Sequence, residues 1–199
     1  MAEPRRVAGP NAKNRSVLLD AAERLMLEEG WTAVTSRRVA AAAGLKPQLV
    51  HYYFRTMEDL FLEVFRRRAA EGVERQTLAL ASQNPLRALW EYSVDPRGTA
   101  LTMEFMALAN HHTAIRAEIG RYAEQFRTQQ IEAIAAVMAS TDTGLDPTVL
   151  PPAAVAVLMT SLSRVLVMEQ SLGMSGGHAE AAVFVEHCLR LLEPARATR

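Results

Sequence analysis

The sequence has very little cysteine and no leader-like apolar segment near its first residue. Its one cysteine, Cys188, excludes an internal disulfide and any zinc site built from several cysteines. The first residues carry charges with no apolar stretch after them, which argues against a signal peptide. The longest apolar run, residues 151–168, is interrupted by Arg164 and is short for a bilayer span. We therefore expect a cytoplasmic protein with reduced thiol and no membrane partner.

Motifs of common enzyme classes are also missing. The chain has no GxxxxGK[ST] phosphate loop, no glycine-rich dinucleotide loop and no HExxH zinc motif. Its carboxylates are scattered along the sequence rather than paired in one motif. We therefore expect neither catalysis nor a cofactor.

Strand patterns are scarce, whereas helical periodicity is frequent. No segment alternates apolar and polar residues over the length of a strand. Apolar residues recur instead at helical spacing, as in residues 17–26 and 60–65. The sequence predicts an all-α fold, with an N-terminal three-helix domain and a larger C-terminal helical domain.

Charge is unevenly distributed although the formal net charge is zero. Residues 1–70 carry 12 Lys and Arg against 8 Asp and Glu, a net +4, which leaves a net −4 for residues 71–199. The excess of positive charge indicates that the N-terminal part approaches an anion.

Two short helices joined by a tight turn are predicted between Thr35 and Phe54. Thr35 is a good N-cap for the segment SRRVAAAA, and Gly44 is suited to end it. Pro47 then suits the first position of another helix, which we expect to run to about Phe54. Two short helices separated by three residues, one of them glycine, form the helix-turn-helix pattern.

The second of these helices is predicted to have a polar outer face. With Val50 at the centre of the inner face, Phe54 falls beside it and Tyr53 borders the core, while Leu49 flanks the opposite, polar half. Amide, imidazole and phenol groups on such a face suit a DNA major groove, and cations and backbone N–H groups at helix ends can hold phosphates. The alternative is an ordinary helical hairpin with solvated polar residues. The predicted DNA-binding residues are Thr35, Ser36, Arg37, Lys46, Pro47, Gln48, His51, Tyr52, Tyr53 and Arg55.

The segment LLDAAERLMLEEGWTAVTSRRVAAAAGLKPQLVHYYFRTMEDLF resembles the DNA-binding domain of TetR-family transcriptional regulators. The likeness covers about residues 14–65. It is carried by Gly30-Trp31, Thr35, Val39-Ala40, Ala43-Gly44-Leu45, the HYYF segment, Glu58 and Leu60. Two positions depart from the family pattern. His51 stands where tyrosine is more common, and Met57 stands where a phosphate-contacting lysine is usual.

The resemblance implies a helix-turn-helix DNA-binding domain at residues 14–60 and a ligand-binding and dimerisation domain at residues 61–195. It implies a repressor that binds a pseudo-palindromic operator as a homodimer and that a small, largely apolar effector releases. A dimer also agrees with the composition, because the helix at 153–168 and the last helix carry more apolar surface than one small domain can cover. The alternative is that both helices are simply core. The predicted interface residues are Val157, Leu162, Phe184, Cys188 and Leu191.

Aromatic and methionine side chains of the C-terminal domain are candidates for an adaptable effector pocket. Each of them could equally be an ordinary core residue. Adjacent His111 and His112 point about 100° apart on a helix, so they cannot easily share a metal ion, and we expect no metal site there or at His178, His187 and Cys188. The predicted pocket residues are Trp90, Met103, Phe105, Met106, Tyr122, Phe126, Met138 and Met159.

Two other functions stay open at the level of sequence. A helical adaptor could use the same hairpin to bind a protein, and it would lack the strong salt dependence of DNA binding. An activator would show the same sequence features as a repressor, because the position of the operator decides which effect DNA binding has.

Overall fold

A computed structural model describes residues 10–140 and 148–193, and every secondary-structure element among them is helical. The predicted all-α fold is therefore confirmed. A 3₁₀ turn at Trp31–Ala33 follows the first helix. The α-helices are α1 (Pro10–Glu29), α2 (Ser36–Ala42), α3 (Pro47–Tyr53), α4 (Met57–Leu80), α5 (Pro85–Ser93), α6 (Pro96–Ala109), α7 (Thr113–Ser140), α8 (Pro152–Ser171) and α9 (His178–Leu192).

The chain divides into two compact units. Unit 1 comprises the described residues up to Ala69 together with Leu101–Ile119, and unit 2 comprises Ala70–Ala100 and the described residues from Gly120 onward. The divisions fall within α4, α6 and α7 rather than in loops. These units are defined by compactness and not by function. The predicted boundary between the DNA-binding and the ligand-binding domain, between residues 60 and 61, therefore stays a prediction.

The turn between α2 and α3 has the geometry that the sequence predicts. The Thr35 hydroxyl accepts a hydrogen bond from the Arg38 N–H, which caps the start of α2. At the other end, the Gly44 N–H donates to the Ala41 carbonyl, and the Leu45 N–H donates to the Ala40 carbonyl. These two bonds form a Schellman motif, which needs a positive φ at its glycine. Gly44 has a φ of +66°, and open space surrounds it, so backbone conformation rather than crowding requires glycine there.

The start of α4 is closed by a capping box. The Asp59 N–H donates to the Thr56 hydroxyl, and the Thr56 N–H donates to the Asp59 carboxylate, both over 3.0 Å. This reciprocal arrangement satisfies two N–H groups that the helix would otherwise leave unpaired. The spacing of Thr56 and Asp59 in the sequence predicts this capping box, which the two hydrogen bonds confirm, and the cap determines where α4 begins.

The core of unit 1 joins the three N-terminal helices to α4, α6 and the start of α7. Its side chains include Leu18, Val39, Val50, Leu60 and Leu108, each almost fully removed from solvent. Burying a side chain of this size stabilises the fold by about 1.5–3 kcal/mol. The three N-terminal helices therefore share one core with α4, α6 and α7 and do not have separate cores.

Ion pairs and a backbone contact surround this core. Arg67 of α4 bridges Asp20 and Glu23 of α1, and Arg66 pairs with Glu118 of α7. Glu104 of α6 accepts a 2.7 Å hydrogen bond from the Trp31 N–H, directly after the end of α1. Unit 1 is thus tied together by polar contacts as well as by its apolar core.

Unit 2 has its own core, formed by α5, α7, α8 and α9. It contains Leu86, Ile134, Ala156 and Leu189, and the described residues show a second cluster of packed side chains around them. The Glu193 carboxylate accepts hydrogen bonds from the N–H groups of Leu86 and Arg87, which caps the start of α5 from the chain's other end. Arg87 and Arg190 together lower the pKa of the Glu186 carboxyl to about 2.

The apolar periodicity predicts that the first helix begins near Ser16, and Pro96-Arg97-Gly98 is expected to end a short helix, and both expectations need correction. A loop is also expected at residues 140–152 from their Gly, Asp and Pro content. Helix α1 begins at Pro10 and not near Ser16, because a proline is tolerated in the first turn and the polar residues after it can be solvated. Pro96 does not punctuate a loop but starts α6, a position that its missing N–H suits. The predicted loop 140–152 lies mostly outside the described residues, at 141–147.

Helix α8 is apolar on nearly every side, a pattern that predicts burial all round, but in the single chain it is not buried on all sides. Its inner positions Val155, Ala156, Ser163 and Val167 are buried, and a stripe of large apolar side chains on the other side is exposed. Of the described helices, α8 alone is long and apolar enough to cross a membrane by length and composition. Its buried inner stripe is what a helix packed within unit 2 requires.

The turn between α8 and α9 contains the string GMSGG, which matches the G-x-S-x-G pattern of some serine hydrolases. In those enzymes the serine lies on a sharp turn between a strand and a helix. Here the string joins two helices and is exposed throughout. The pattern therefore lacks the structural context that would make the serine a nucleophile.

Candidate nucleic-acid interface

Helix α3 exposes a polar and aromatic face. Gln48, His51 and Tyr52 are exposed, and 69% of Tyr52 is accessible to solvent. Tyr53 is half-buried against the core, and Leu49, which flanks the polar half, is also half-buried. The orientation predicted for α3 from helical periodicity is therefore confirmed at each of these positions.

Two buried side chains hold α3 in this orientation. Val50 and Phe54 are only 1% and 2% exposed, and the Phe54 N–H donates to the Val50 carbonyl at the end of the helix. The guanidinium group of Arg15 lies 5.5 Å from the centre of the Phe54 ring, and the same group pairs with Glu63 of α4. Rotation of α3 about its axis would uncover both apolar side chains, so its outer face is fixed.

Three cations flank this outer face without any acidic partner. Arg37 of α2, Lys46 before α3 and Arg55 after it are exposed, and none of them forms an ion pair with a described residue. Arg38 differs, because it pairs with Glu29, and this hydrogen bond lowers the pKa of the Glu29 carboxyl and raises that of the Arg38 guanidinium. The three unpaired cations are therefore available to an external anion.

The remaining predicted DNA-binding residues lie at the edges of the same surface. Thr35 and Pro47 are exposed at the starts of α2 and α3, and Ser36 is half-buried. Tyr53 packs edge-on against Tyr52, with ring centres 5.0 Å apart. The structure thus brings all ten predicted residues together around α2 and α3, with the polar side chains of α3 in the middle and cations around them.

Replacing Gln48 or His51 with alanine is expected to relax base preference at one position of a binding site. The loss of a side chain that contacts a base edge costs about 1–3 kcal/mol for the preferred base and little for the others. Binding to a panel of duplexes with single-base changes measures this effect. Gln83→Ala, which removes an exposed glutamine far along the chain, serves as the control. Equal weakening on all duplexes would show that these side chains contact the backbone.

Comparison with known proteins agrees with this geometry. Residues 18–64 match the sequence profile of "Bacterial regulatory proteins, tetR family". The HTH-type transcriptional regulator BetI of Rhizobium meliloti (strain 1021) is 26% identical over 143 residues, which are 67% of this chain and 70% of that protein. The chain belongs to the TetR family. It is accordingly a DNA-binding transcriptional regulator, and its family is one of regulators and not of enzymes.

Solved structures of TetR-family proteins share the fold over most of the chain. A transcription regulator of this family from Haloarcula marismortui superposes with a TM-score of 0.68 at 17% identity, covering 93% of each chain. A protein from Saccharomonospora viridis, described as a transcriptional regulator and solved in complex with choline, gives a TM-score of 0.74 at 19% identity. That match covers 88% of this chain and 97% of the other. The all-helical architecture therefore extends well beyond the matched N-terminal segment.

The predicted pocket residues do not all lie in one unit. Met103, Phe105 and Met106 of α6 belong to unit 1, where Phe105 is buried edge-on against Phe65 and the two methionines are exposed. The other five belong to unit 2. These are Trp90, Met138 and Met159, which pack in the core of unit 2, and Tyr122 and Phe126 on α7. The pocket assignment stays a prediction for all eight residues.

The predicted interface residues also differ in exposure. Val157, Phe184 and Leu191 are exposed on α8 and α9. Leu162 packs against the core of unit 2, and Cys188 is half-buried, which raises the pKa of its thiol. Three of the five predicted interface residues are therefore exposed in the single chain, and the interface assignment stays a prediction for all five.

The two adjacent histidines take part in a packing contact that the sequence did not predict. The ring of Trp31 lies 5.6 Å from that of His111 and 6.4 Å from that of His112. His112 also approaches the Glu58 carboxylate, with 3.6 Å between nitrogen and oxygen. Among the described residues, no group of three or more potential ligands is placed to hold a metal ion.

A polar group in unit 2 was also missed by the sequence analysis. It joins Gln76 of α4, Gln130 and Arg127 of α7, and Thr160 of α8, and Arg164 lies one turn beyond Thr160. The signal in the sequence was the interruption of a long apolar run by Arg164.

Proposed function

We propose that the protein is a ligand-responsive repressor that binds a pseudo-palindromic operator as a homodimer. The observation that carries this proposal is the outer face of α3, which combines exposed polar and aromatic groups with unpaired cations on either side. In a major groove, Gln48 and His51 would contact base edges, while Arg37, Lys46 and Arg55 would contact phosphates. The central residues of this face would then select the DNA sequence, and the cations at its edge would supply sequence-independent affinity.

Exposed apolar side chains support the homodimer. On α8, Val157, Leu158, Val165 and Met168 are exposed, and the exposed residues of α9 include Phe184. Exposed apolar side chains in this number on neighbouring turns of a helix mark an interaction site in a soluble protein. Two copies of α8 and α9 would cover these surfaces by forming a four-helix interface. The symmetry of that dimer would match the two half-sites of a pseudo-palindrome.

The regulatory step we propose is release from DNA by a small, largely apolar effector that binds unit 2. Trp90, Met138 and Met159 supply adaptable apolar surface there, and the related Saccharomonospora viridis protein binds the small organic ion choline. An effector can only act by binding one conformation more tightly than another, and such coupling amounts to about 1–3 kcal/mol. We also propose that the protein acts in the cytoplasm, where its operator DNA is located.

Selection of bound fragments from the source genome tests the DNA-binding part. The purified protein is incubated with sheared genomic DNA at low and at moderate salt, and retained fragments are sequenced. A repressor of this type enriches a few fragments that share a pseudo-palindrome, and its affinity falls steeply with salt. Absence of enrichment together with weak salt dependence would instead favour a protein-binding adaptor.

A further inference from the structure

The guanidinium group of Arg127, on α7, has an uncharged hydrogen-bond partner in unit 2. Its Nη1 donates a 3.1 Å hydrogen bond to the Thr160 hydroxyl of α8. That hydroxyl donates in turn to the Ala156 carbonyl over 2.8 Å, so its position is fixed by the helix that carries it. Arg127 makes no ion pair with a described residue, and most of its N–H groups therefore lack a protein acceptor.

Arg164 lies next to this pair. It follows Thr160 by four residues on α8, so the two side chains are neighbours on one helical face. Arg164 forms neither a hydrogen bond nor an ion pair with a described residue. Burial lowers the pKa of its guanidinium, and the positive charge of Arg127 lowers it further. The side chain nevertheless keeps access to solvent. Its guanidinium group is therefore open to a ligand from solvent.

This arrangement differs from that of other arginines in unit 2. Arg87 and Arg190 share the carboxylate of Glu186, which offsets part of their positive charge. Arg127 and Arg164 are instead two like charges in proximity, which repel each other unless an anion lies between or beside them. Two neighbouring guanidinium groups without a carboxylate partner are a suitable receptor for a carboxylate or a phosphate.

Hydrogen-bonded polar side chains extend from Thr160 into the interior of unit 2. Thr160 contacts Gln130, and the Gln130 amide donates to Gln76 over 3.3 Å. Gln76 is completely buried, and its own amide donates to Gln129 and to the Phe126 carbonyl. The side-chain amides of these glutamines therefore have hydrogen-bond partners within unit 2. The guanidinium groups of Arg127 and Arg164, by contrast, have N–H groups without an acceptor among the described residues.

We propose that unit 2 binds the anionic group of its effector between the guanidinium groups of Arg127 and Arg164. The ligand class is a carboxylate or a phosphate, which is more specific than the largely apolar molecule proposed above. The inference rests on the proposed ligand response, although the binding site itself does not require DNA. A quaternary ammonium ion would be repelled from the same place.

Thermal unfolding of the full-length protein, without DNA, tests the site. The probes are inorganic phosphate, acetate and tetramethylammonium, each added at constant ionic strength against sodium chloride. For the wild type, phosphate or acetate is expected to raise Tm in a saturable manner, and tetramethylammonium is not. The difference between phosphate and acetate identifies which of the two anions the site prefers.

Variants decide whether the effect comes from this pair. Arg127→Gln and Arg164→Gln are each expected to raise the half-saturating anion concentration at least tenfold, and Arg75→Gln, which removes an exposed and unpaired arginine of α4, is not. Without added anion, Arg164→Gln is expected to leave Tm equal or higher, because it removes a repulsion. An unchanged anion response in both variants would overturn the proposal. It would also be overturned if Arg164→Gln lowered Tm and dissociated the dimer, since the arginine would then serve the subunit contact.

The two proposals can fail separately. Retention on genomic DNA is measured in the same buffers. If anions stabilise the wild type through these arginines but leave DNA retention unchanged, the anion site stands and the ligand response is contradicted. If DNA is retained and no anion stabilises the protein, the regulator stands and the anion site is contradicted.

Discussion

Glutamate in place of Phe184 is expected to convert the dimer into a monomer and to abolish tight operator binding. Phe184 is 61% exposed in the single chain and lies in the apolar face proposed to meet its symmetry mate. Burial of one phenylalanine contributes about 1.5–3 kcal/mol, and a two-fold interface contains it twice. Its loss should therefore raise the dimer dissociation constant by about 10²–10⁴, before repulsion between the two new carboxylates is counted. Sedimentation equilibrium measures the constant directly.

A matched control separates this effect from a general effect of the new charge. Leu78 of α4 is 67% exposed but lies outside α8 and α9. Leu78→Glu should therefore leave the dimer intact. Operator affinity should fall only for Phe184→Glu, because the two DNA-binding domains are then no longer held together. A Phe184→Glu variant that remains dimeric at low concentration would place the interface elsewhere.

Neutralising Arg37, Lys46 and Arg55 together with glutamine is expected to remove most of the salt dependence of DNA binding. Each phosphate contact releases counterions and contributes about 0.9 to the slope of log affinity against log salt. Three contacts in each of two domains therefore account for a slope of about 5. The wild-type affinity should fall by about 10³ between 50 and 200 mM salt, whereas that of the triple variant should change little. Fluorescence anisotropy with a labelled duplex provides the measurement.

Specificity should respond differently from affinity in this variant. Because phosphate contacts carry no sequence information, the weakening should be similar for all duplexes, and Arg37→Ala alone should show the same uniform loss on a smaller scale. Arg75→Gln again serves as the control for the loss of an exposed, unpaired positive charge. A loss confined to one preferred sequence would show that at least one of the three cations contacts a base.

The orientation of α3 could be predicted from the sequence because local rules determine it. Gly44 and Pro47 mark the ends of the turn, and the spacing of Val50 and Phe54 defines the inner face. The capping of α4 by Thr56 and Asp59 was predictable for the same reason. In each case the residues that decide the structure are close together in the sequence.

The features that escaped prediction depend on contacts between distant helices. Arg127 and Thr160 are 33 positions apart, and nothing in the local pattern of either helix indicates that they meet. How much of α8 is exposed in the single chain depends on contacts of the same kind. Composition shows that a helix is apolar, but it does not show whether the same chain or a second copy covers it. Helix starts at Pro10 and Pro96 were misplaced because proline both begins helices and interrupts them.

The contact between Trp31 and the two histidines has a spectroscopic consequence. The chain has two tryptophans, and the indole of Trp31 lies against both imidazole rings at the turn between α6 and α7. A protonated imidazole quenches a neighbouring excited indole, so the emission of Trp31 depends on how closely that turn approaches it. Once Trp90 is replaced by phenylalanine, Trp31 is the one remaining tryptophan. Its fluorescence then reports on the turn between α6 and α7 without an attached dye.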